Sequence, residues 1–159
     1  MPMSAVSIAE RLRDSEFFRG LPGEARSFLA AHAQIRRLNE NEVLFHFGEP
    51  ARRFYLVTDG HISVEVAAIE GPTLQLQDLG PGMVLGWSWL IPPHRWIFQA
   101  RASTPVELVE FDGDVVRAEC ETNPALGYTL LKRFSTLMSE RLNQARQRMI
   151  DEWRPEGFA

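Results

Sequence analysis

The segment from Gly86 to Ala102 reads GWSWLIPPHRWIFQARA and concentrates the residues suited to a ligand site. Three of the four tryptophans, Trp87, Trp89 and Trp96, fall within ten residues. Phe98 follows closely, and Ser88, His94 and Arg95 supply polar groups among the aromatics. Aromatic walls with a few polar groups are the usual chemistry of a small-molecule pocket. The same side chains also suit a packed core. Two readings therefore stand together: tryptophans that fill a pocket, or tryptophans that line one for a flat or apolar ligand.

Other chemistry is sparse. His32, His46, His61 and His94 are scattered, with no His-x-His pair. Metal sites need clustered histidines and carboxylates, so neither a metal centre nor an enzyme is expected. Nucleophile motifs and glycine-rich phosphate loops are absent. Cys120 is the single cysteine. It cannot form an internal disulfide, which fits a reducing compartment. The first residues lack a basic segment followed by an apolar one, and no uncharged stretch approaches the roughly 20 residues of a membrane span. A cytoplasmic chain without membrane contact is the expectation.

The elements that must position these residues can be read from spacing. The chain has 159 residues, 45% of them apolar and 24% charged, the profile of one globular domain. Its formal charge is −4, which is no nucleic-acid footprint. Residues 4–34 read as N-terminal helices, with Ser7 as an N-cap and Glu10 three residues on. From 35 to 112 the pattern turns to short β-branched and aromatic runs: FYLV (54–57), ISVEV (62–66), TLQLQDL (73–79) and VELVEF (106–111). Turn residues separate them at Gly48-Glu49-Pro50, Asp59-Gly60, Glu70-Gly71-Pro72, Gly80-Pro81-Gly82 and Thr104-Pro105. Such spacing predicts an antiparallel sandwich or barrel. Asp59-Gly60 reads as a two-residue hairpin. Residues 113–154 return to helical spacing, with one long helix over 125–153 closed by Pro155 and Gly157.

Leu131, Met138, Leu142, Ala145 and Met149 fall on a heptad seam of that helix, with Ser135 its polar member. Leu130, Phe134 and Leu137 lie off it. The helix is expected to pack one side on its own β unit and present the seam to a second copy, making a homodimer.

SEFFRGLP (15–22), EVLFHFGEPARRFYLVTDGHISV (42–64), LGPGMVLGW (79–87) and STPVELVEFD (103–112), taken together, resemble the cyclic-nucleotide-binding domain family. That family supplies the sensor of catabolite-activator-type regulators, cyclic-nucleotide-dependent kinases and gated channels. The resemblance implies a mainly β fold: an eight-stranded antiparallel jelly roll with N-terminal helices and a long C-terminal helix. It implies that 82–102 corresponds to the phosphate-binding cassette. There, a Gly-Glu pair, a short helix and a later Arg-Ser/Thr-Ala hold the cyclic phosphate and ribose.

This sequence departs from that pattern. Counting from Gly86, Trp87 takes the glutamate position. Counting back from Ala102, Trp96 takes the arginine position, with Ile97 and Phe98 after it. Two charge-assisted contacts of roughly 1.5–3 kcal/mol each are lost, on the order of 100-fold to 10,000-fold in affinity. Weak or absent binding of cAMP and cGMP is expected, leaving another small anionic or aromatic ligand as the alternative. A helix start at Gly86–Ser88, with Ser88 as donor, and Arg95, one residue early, are the remaining anion contacts. Arg101 sits in a strand and is a poor substitute. Haem sensing, known among relatives, would need His94 or Cys120; Cys120 in RAECE reads instead as a packed apolar residue.

The reading that follows is a stand-alone regulatory module. A protein partner would read a hinge near Ala125–Leu131 that re-angles the long helix. Regulators of this family place a DNA-reading domain after that helix, and the six residues from Arg154 cannot supply a recognition helix, so direct DNA binding is not expected. A ligand-free interaction protein and a cAMP or cGMP binder using altered contacts are the alternatives.

Overall fold

The computed structural model describes residues 5–66, 70 and 73–152. Three helices open the chain: α1 (Ala5–Arg13), α2 (Glu16–Arg19) and α3 (Gly23–Ala31). Eight strands follow: β1 (Ala33–Leu38), β2 (Val43–Phe45), β3 (Arg53–Asp59), β4 (Ile62–Val66), β5 (Leu74–Leu79), β6 (Val84–Leu85), β7 (Gln99–Ala102) and β8 (Val106–Asp112). Helices α4 (Gly113–Thr122) and α5 (Pro124–Glu152) complete the described residues. α1 begins two residues before Ser7, so Ser7 lies inside the helix and is not its N-cap. Ala33 and Gln34, expected as helix, belong to β1. Gly71, Pro72 and the expected helix stop from Trp153 to Gly157 lie outside the described residues.

The strands form two four-stranded antiparallel sheets, ordered β1-β8-β3-β6 and β2-β7-β4-β5. This is the jelly roll that the resemblance implied, within the antiparallel sandwich-or-barrel class that the strand spacing suggested. The Asp59-Gly60 turn, however, is no hairpin. β3 pairs with β8 and β6, whereas β4 pairs with β5 and β7. The turn is a corner between sheets. Gly60 has φ +82°, and a Cβ there would lie 2.1 Å from the Pro105 carbonyl oxygen. The local turn chemistry is the same for a hairpin and a corner, so short-range reasoning could not separate them.

β3 is apolar on both faces and divides two cores. Phe54 and Leu56 join a helix-side core with Leu12, Phe18, Leu29, Val109, Phe111, Leu130 and Phe134. Tyr55 and Val57 join an inter-sheet core with Leu38, Ile62, Val64, Leu85, Ala100, Val106 and Leu108. Burying an apolar side chain of this size stabilises the fold by about 1.5–3 kcal/mol. Phe54 stacks on Phe111 at 4.5 Å and meets Phe134 edge-on at 5.5 Å, fixing α5 to the β3–β8 layer.

The helix α5 crosses this layer with one buried stripe, Leu126, Leu130, Phe134, Leu137 and Arg141, at helical spacing. Near its start, Arg133 donates to the Phe17 and Glu16 carbonyl oxygens and lies 5.2 Å from the Phe17 ring. The elbow between α4 and α5 is Asn123, at φ −125° and ψ 82°. Its side-chain oxygen accepts from Leu126 N–H at 3.3 Å. Residues 125–131 are continuous helix, so the break falls at Asn123 rather than within the expected Ala125–Leu131 segment. Gly127 lets the elbow fold tightly: a Cβ there would sit 3.2 Å from Cys120.

Candidate functional site

A cavity of about 280 Å³ lies between the β2-β7-β4-β5 sheet and α5. The sheet side contributes Phe45, Val64, Leu76 and Gln77, and β6 with its following loop contributes Leu85, Gly86, Trp87 and Ser88. Trp96, Ile97 and Phe98 form a third side. Met138, Arg141, Leu142 and Ala145 of α5 form the fourth. Apolar side chains dominate, and Gln77, Ser88 and Arg141 are the polar lining groups.

Six of the nine sequence-derived ligand residues meet here: Gly86, Trp87, Ser88, Trp96, Ile97 and Phe98. Trp96 is 6% exposed and stacks flat on Phe45, with ring centroids 3.8 Å apart and planes 7° apart. Its backbone is tied on both sides. Trp96 N–H donates to the Glu49 carbonyl at 2.9 Å, and its own carbonyl accepts from Gly48 N–H at 2.8 Å. Gly86 makes room for the ring. It has φ +101°, and a Cβ there would lie 2.8 Å from the Trp96 ring. Trp87 is half-buried and meets Phe98 edge-on at 6.5 Å. Ile97 is half-exposed at the rim.

The other three lie elsewhere. Trp89 is fully buried in the helix-side core, stacked on Phe54 at 4.5 Å and edge-on to Phe134 at 5.4 Å. Its indole Nε1 has no partner. His94 and Arg95 line a separate polar depression with Pro50, Arg52, Asp114 and Arg117. Arg95 bridges Pro50 in antiparallel register and donates from Nη1 to the Gly48 carbonyl at 2.8 Å. The one-residue offset from Trp96 therefore turns Arg95 away from the cavity, as alternation along extended chain requires. His94 Nδ1 lies 3.4 Å from the Ser88 carbonyl.

No helix begins at Gly86–Ser88. Residues 88–90 form a turn in which Leu90 N–H donates to the Trp87 carbonyl at 3.0 Å. Pro92 disfavours helical backbone at Ile91, and Pro92 and Pro93 lack amide donors, so the turn does not propagate. An anion site at a helix N-terminus is thus not formed here. Arg101 pairs with Glu65 at 3.0 Å from both Nε and Nη2, and Nη1 donates to Asn41. Cys120 packs between α4 and α5, and burial, reinforced by Glu119 and Glu121, pushes its thiol pKa up. A raised thiol pKa disfavours the thiolate that ligates metals. Among the described residues no group of three His, Cys, Asp or Glu forms a metal site.

Arg141 was not among the residues singled out by sequence. It is 6% exposed, and its Nη2 donates to the Val84 carbonyl. Burial lowers its pKa to about 10, with Glu140 opposing. The available signal was its position: a cation stands where the stripe of Leu126, Leu130, Phe134 and Leu137 calls for an apolar residue. Two further contacts hold the end of α5 over the edge strand β5. Gln77 Nε2 donates to Gln144 Oε1 at 2.9 Å, and Arg148 Nη1 donates to the Leu76 carbonyl at 2.7 Å.

The heptad residues Leu131, Leu142 and Met149 are exposed, whereas Met138 is half-buried against the cavity. Leu142 and Ala145 serve both the outer face and the cavity rim.

The sequence pattern of the cyclic nucleotide-binding domain matches residues 35–123. The chain belongs to the cyclic nucleotide-binding domain family. It is 24% identical over 142 residues to a CRP-like cAMP-activated global transcriptional regulator of Mycobacterium tuberculosis, covering 89% of this chain and 62% of that one. A shorter match, 34% over 71 residues, covers 45% of this chain and 21% of acetyltransferase Pat of Mycolicibacterium smegmatis. A cyclic nucleotide-binding domain from Methylobacillus flagellatus KT superposes with a TM-score of 0.77 at 19% identity, covering 97% of this chain and 86% of that one. That similarity establishes the fold. The chain is a cyclic nucleotide-binding domain of the regulatory sensor type, and it spans 62% of the first relative's length. No helix among the described residues is long and apolar enough to cross a membrane.

Proposed function

We propose that this domain senses a small ligand in the cavity under α5 and reports occupancy through the position of α5. One observation carries the reading. The cavity has walls from both the β roll and α5, with Phe45, Val64 and Trp96 facing Met138, Arg141 and Leu142. A ligand there touches the sheet and the helix together, so its binding energy shifts any equilibrium between helix positions. The elbow at Asn123 is the place where α5 can re-angle.

Ordinary cAMP and cGMP are poor ligands in this reading. Trp87 and Trp96 stand where the family pattern has a glutamate and an arginine, and Arg95 faces away. The output surface is the exposed face of α5, with Leu131, Leu142 and Met149 arranged to meet a second copy. A protein partner would read the changed helix angle. The half-buried single cysteine fits a reducing, cytoplasmic setting.

A second reading has its own support. Trp96, stacked on Phe45 and pressed over Gly86, occupies the loop as core does. A ligand-free interaction protein would look like this at the loop, though not at the open space beside α5.

Spin labels on α5 and β5, read as a distance distribution with and without ligand, test the proposal. A distance change with a saturating ligand supports it. An unchanged distribution with cyclic nucleotides, cyclic dinucleotides, anions and apolar acids removes it and leaves the filled-pocket reading.

A further inference from the structure

Arg141 is a buried cation whose carboxylate neighbours, Glu16 and Glu140, line an adjoining groove without pairing with it. It is 6% exposed, and among the described residues no acidic group lies within ion-pair distance of it. Among the described residues its one hydrogen bond goes to the Val84 carbonyl, yet a guanidinium carries five N–H donors. Trp89 Nε1 is the one fully buried side-chain nitrogen or oxygen without a partner among the described residues. The remaining Arg141 donors are therefore not sealed in protein; they border open space. Arg141 lines the α5 cavity on one side and a polar groove with Glu16, Arg133 and Glu140 on the other. Leucine at this position would continue the buried stripe at no desolvation cost. A buried charge is tolerated when something pairs with it.

We propose that the cavity takes an apolar monocarboxylate, with its carboxylate on Arg141 and its hydrocarbon or aromatic body against Phe45, Trp87, Trp96 and Phe98. This deepens the sensor reading above and rests on its choice of cavity. The chemistry is selective in three ways. A planar guanidinium matches a carboxylate through two parallel N–H···O bonds. The apolar walls offer few partners for ribose hydroxyls or a purine edge, since Gln77 and Ser88 are the other polar lining groups. The volume, about 280 Å³, is roughly twice a cavity that holds benzene, which suits a bicyclic aromatic acid or an acid of about eight to ten carbons.

Calorimetric titration of the whole chain with 2-naphthoate and octanoate, against 2-naphthamide and octanamide, is the test. The acids are expected to bind saturably and the amides at least tenfold more weakly. Arg141→Leu is expected to weaken acid binding about tenfold to a hundredfold, the worth of a charge-assisted hydrogen bond, and to leave amide binding unchanged. Equal affinity for acid and amide, no binding of either acid, or wild-type acid binding in the variant would each overturn the proposal. The melting temperature of Arg141→Leu gives a second readout. An unchanged or raised value is expected for a ligand-pairing cation, because leucine completes the stripe. A fall of several degrees would make Arg141 a structural tie to Val84 and overturn it. The two proposals separate cleanly. Acid binding without α5 movement keeps the ligand class and removes the sensor reading. Movement of α5 with cyclic nucleotides but no acid binding does the reverse.

Discussion

Trp96 shows how one residue decides what a loop can do. An aromatic ring pressed between Phe45 and Gly86 supplies area but no charge. Gly86 is tied to it, because φ +101° and the ring contact both exclude a side chain. Gly86→Ala is expected to lower stability by about 1–3 kcal/mol, the usual cost of a strained left-handed residue, read as a lower urea midpoint. Glu65 makes a different residue-scale prediction. The Arg101 hydrogen bonds hold its pKa below the ordinary carboxylate value, against the opposing effect of burial. A lowered folded-state pKa contributes stability that is present above the unfolded value and lost as pH falls through the folded one. Stability is therefore expected to drop below about pH 4.5. Glu65→Gln should cost about 1–3 kcal/mol at neutral pH and flatten that acid limb in a pH series of urea titrations. The cassette tryptophans were legible in sequence as a group. Their separation was not: Trp87 and Trp96 reach the cavity while Trp89 enters the other core. Residues 88–90 turn rather than run straight, so alternation does not tell which face each ring takes.

At the scale of elements, α5 is held unevenly. Its first half is fixed by Phe134 in the aromatic cluster and by Arg133 on α2. Its last turns rest on polar contacts, Gln144 to Gln77 and Arg148 to the Leu76 carbonyl. Exposed polar contacts contribute little to global stability, but they decide whether the helix end stays down. Arg148→Ala is expected to speed amide hydrogen exchange in residues 141–152 severalfold while changing the melting temperature by less than about 2 °C, a fraction of a kcal/mol. Unchanged exchange would show that apolar contacts alone hold the end. The heptad spacing exposed the outer face of this helix to sequence reading. The inner stripe was visible too, except that Arg141 interrupts it.

For the molecule as a whole, the proposed dimer rests on the exposed residues of α5. Leu131 and Met149 lie on the outer face away from the cavity lining. Glutamate at either is expected to convert a dimer to a monomer in sedimentation velocity without altering acid binding, since buried charge in a coiled-coil seam is costly. A dimer that survives both changes would place the interface elsewhere. Leu142 is a poorer probe because it also rims the cavity.

Sequence by itself determined the sandwich-or-barrel class of fold, the short strands, the flanking helices and the placing of tryptophans at positions 87 and 96. These follow from local periodicity, turn residues and identity at a spacing, all of which are short-range properties. Tertiary structure alone decided three things. The Asp59-Gly60 turn became a corner between sheets, because strand pairing partners are distant in the chain. His94 and Arg95 left the cavity, because their direction depends on the Pro50 bridge. Arg141, more than forty residues beyond the aromatic loop, became the one charged residue lining the cavity. That place arises only when α5 folds back across the sheet and removes it from water.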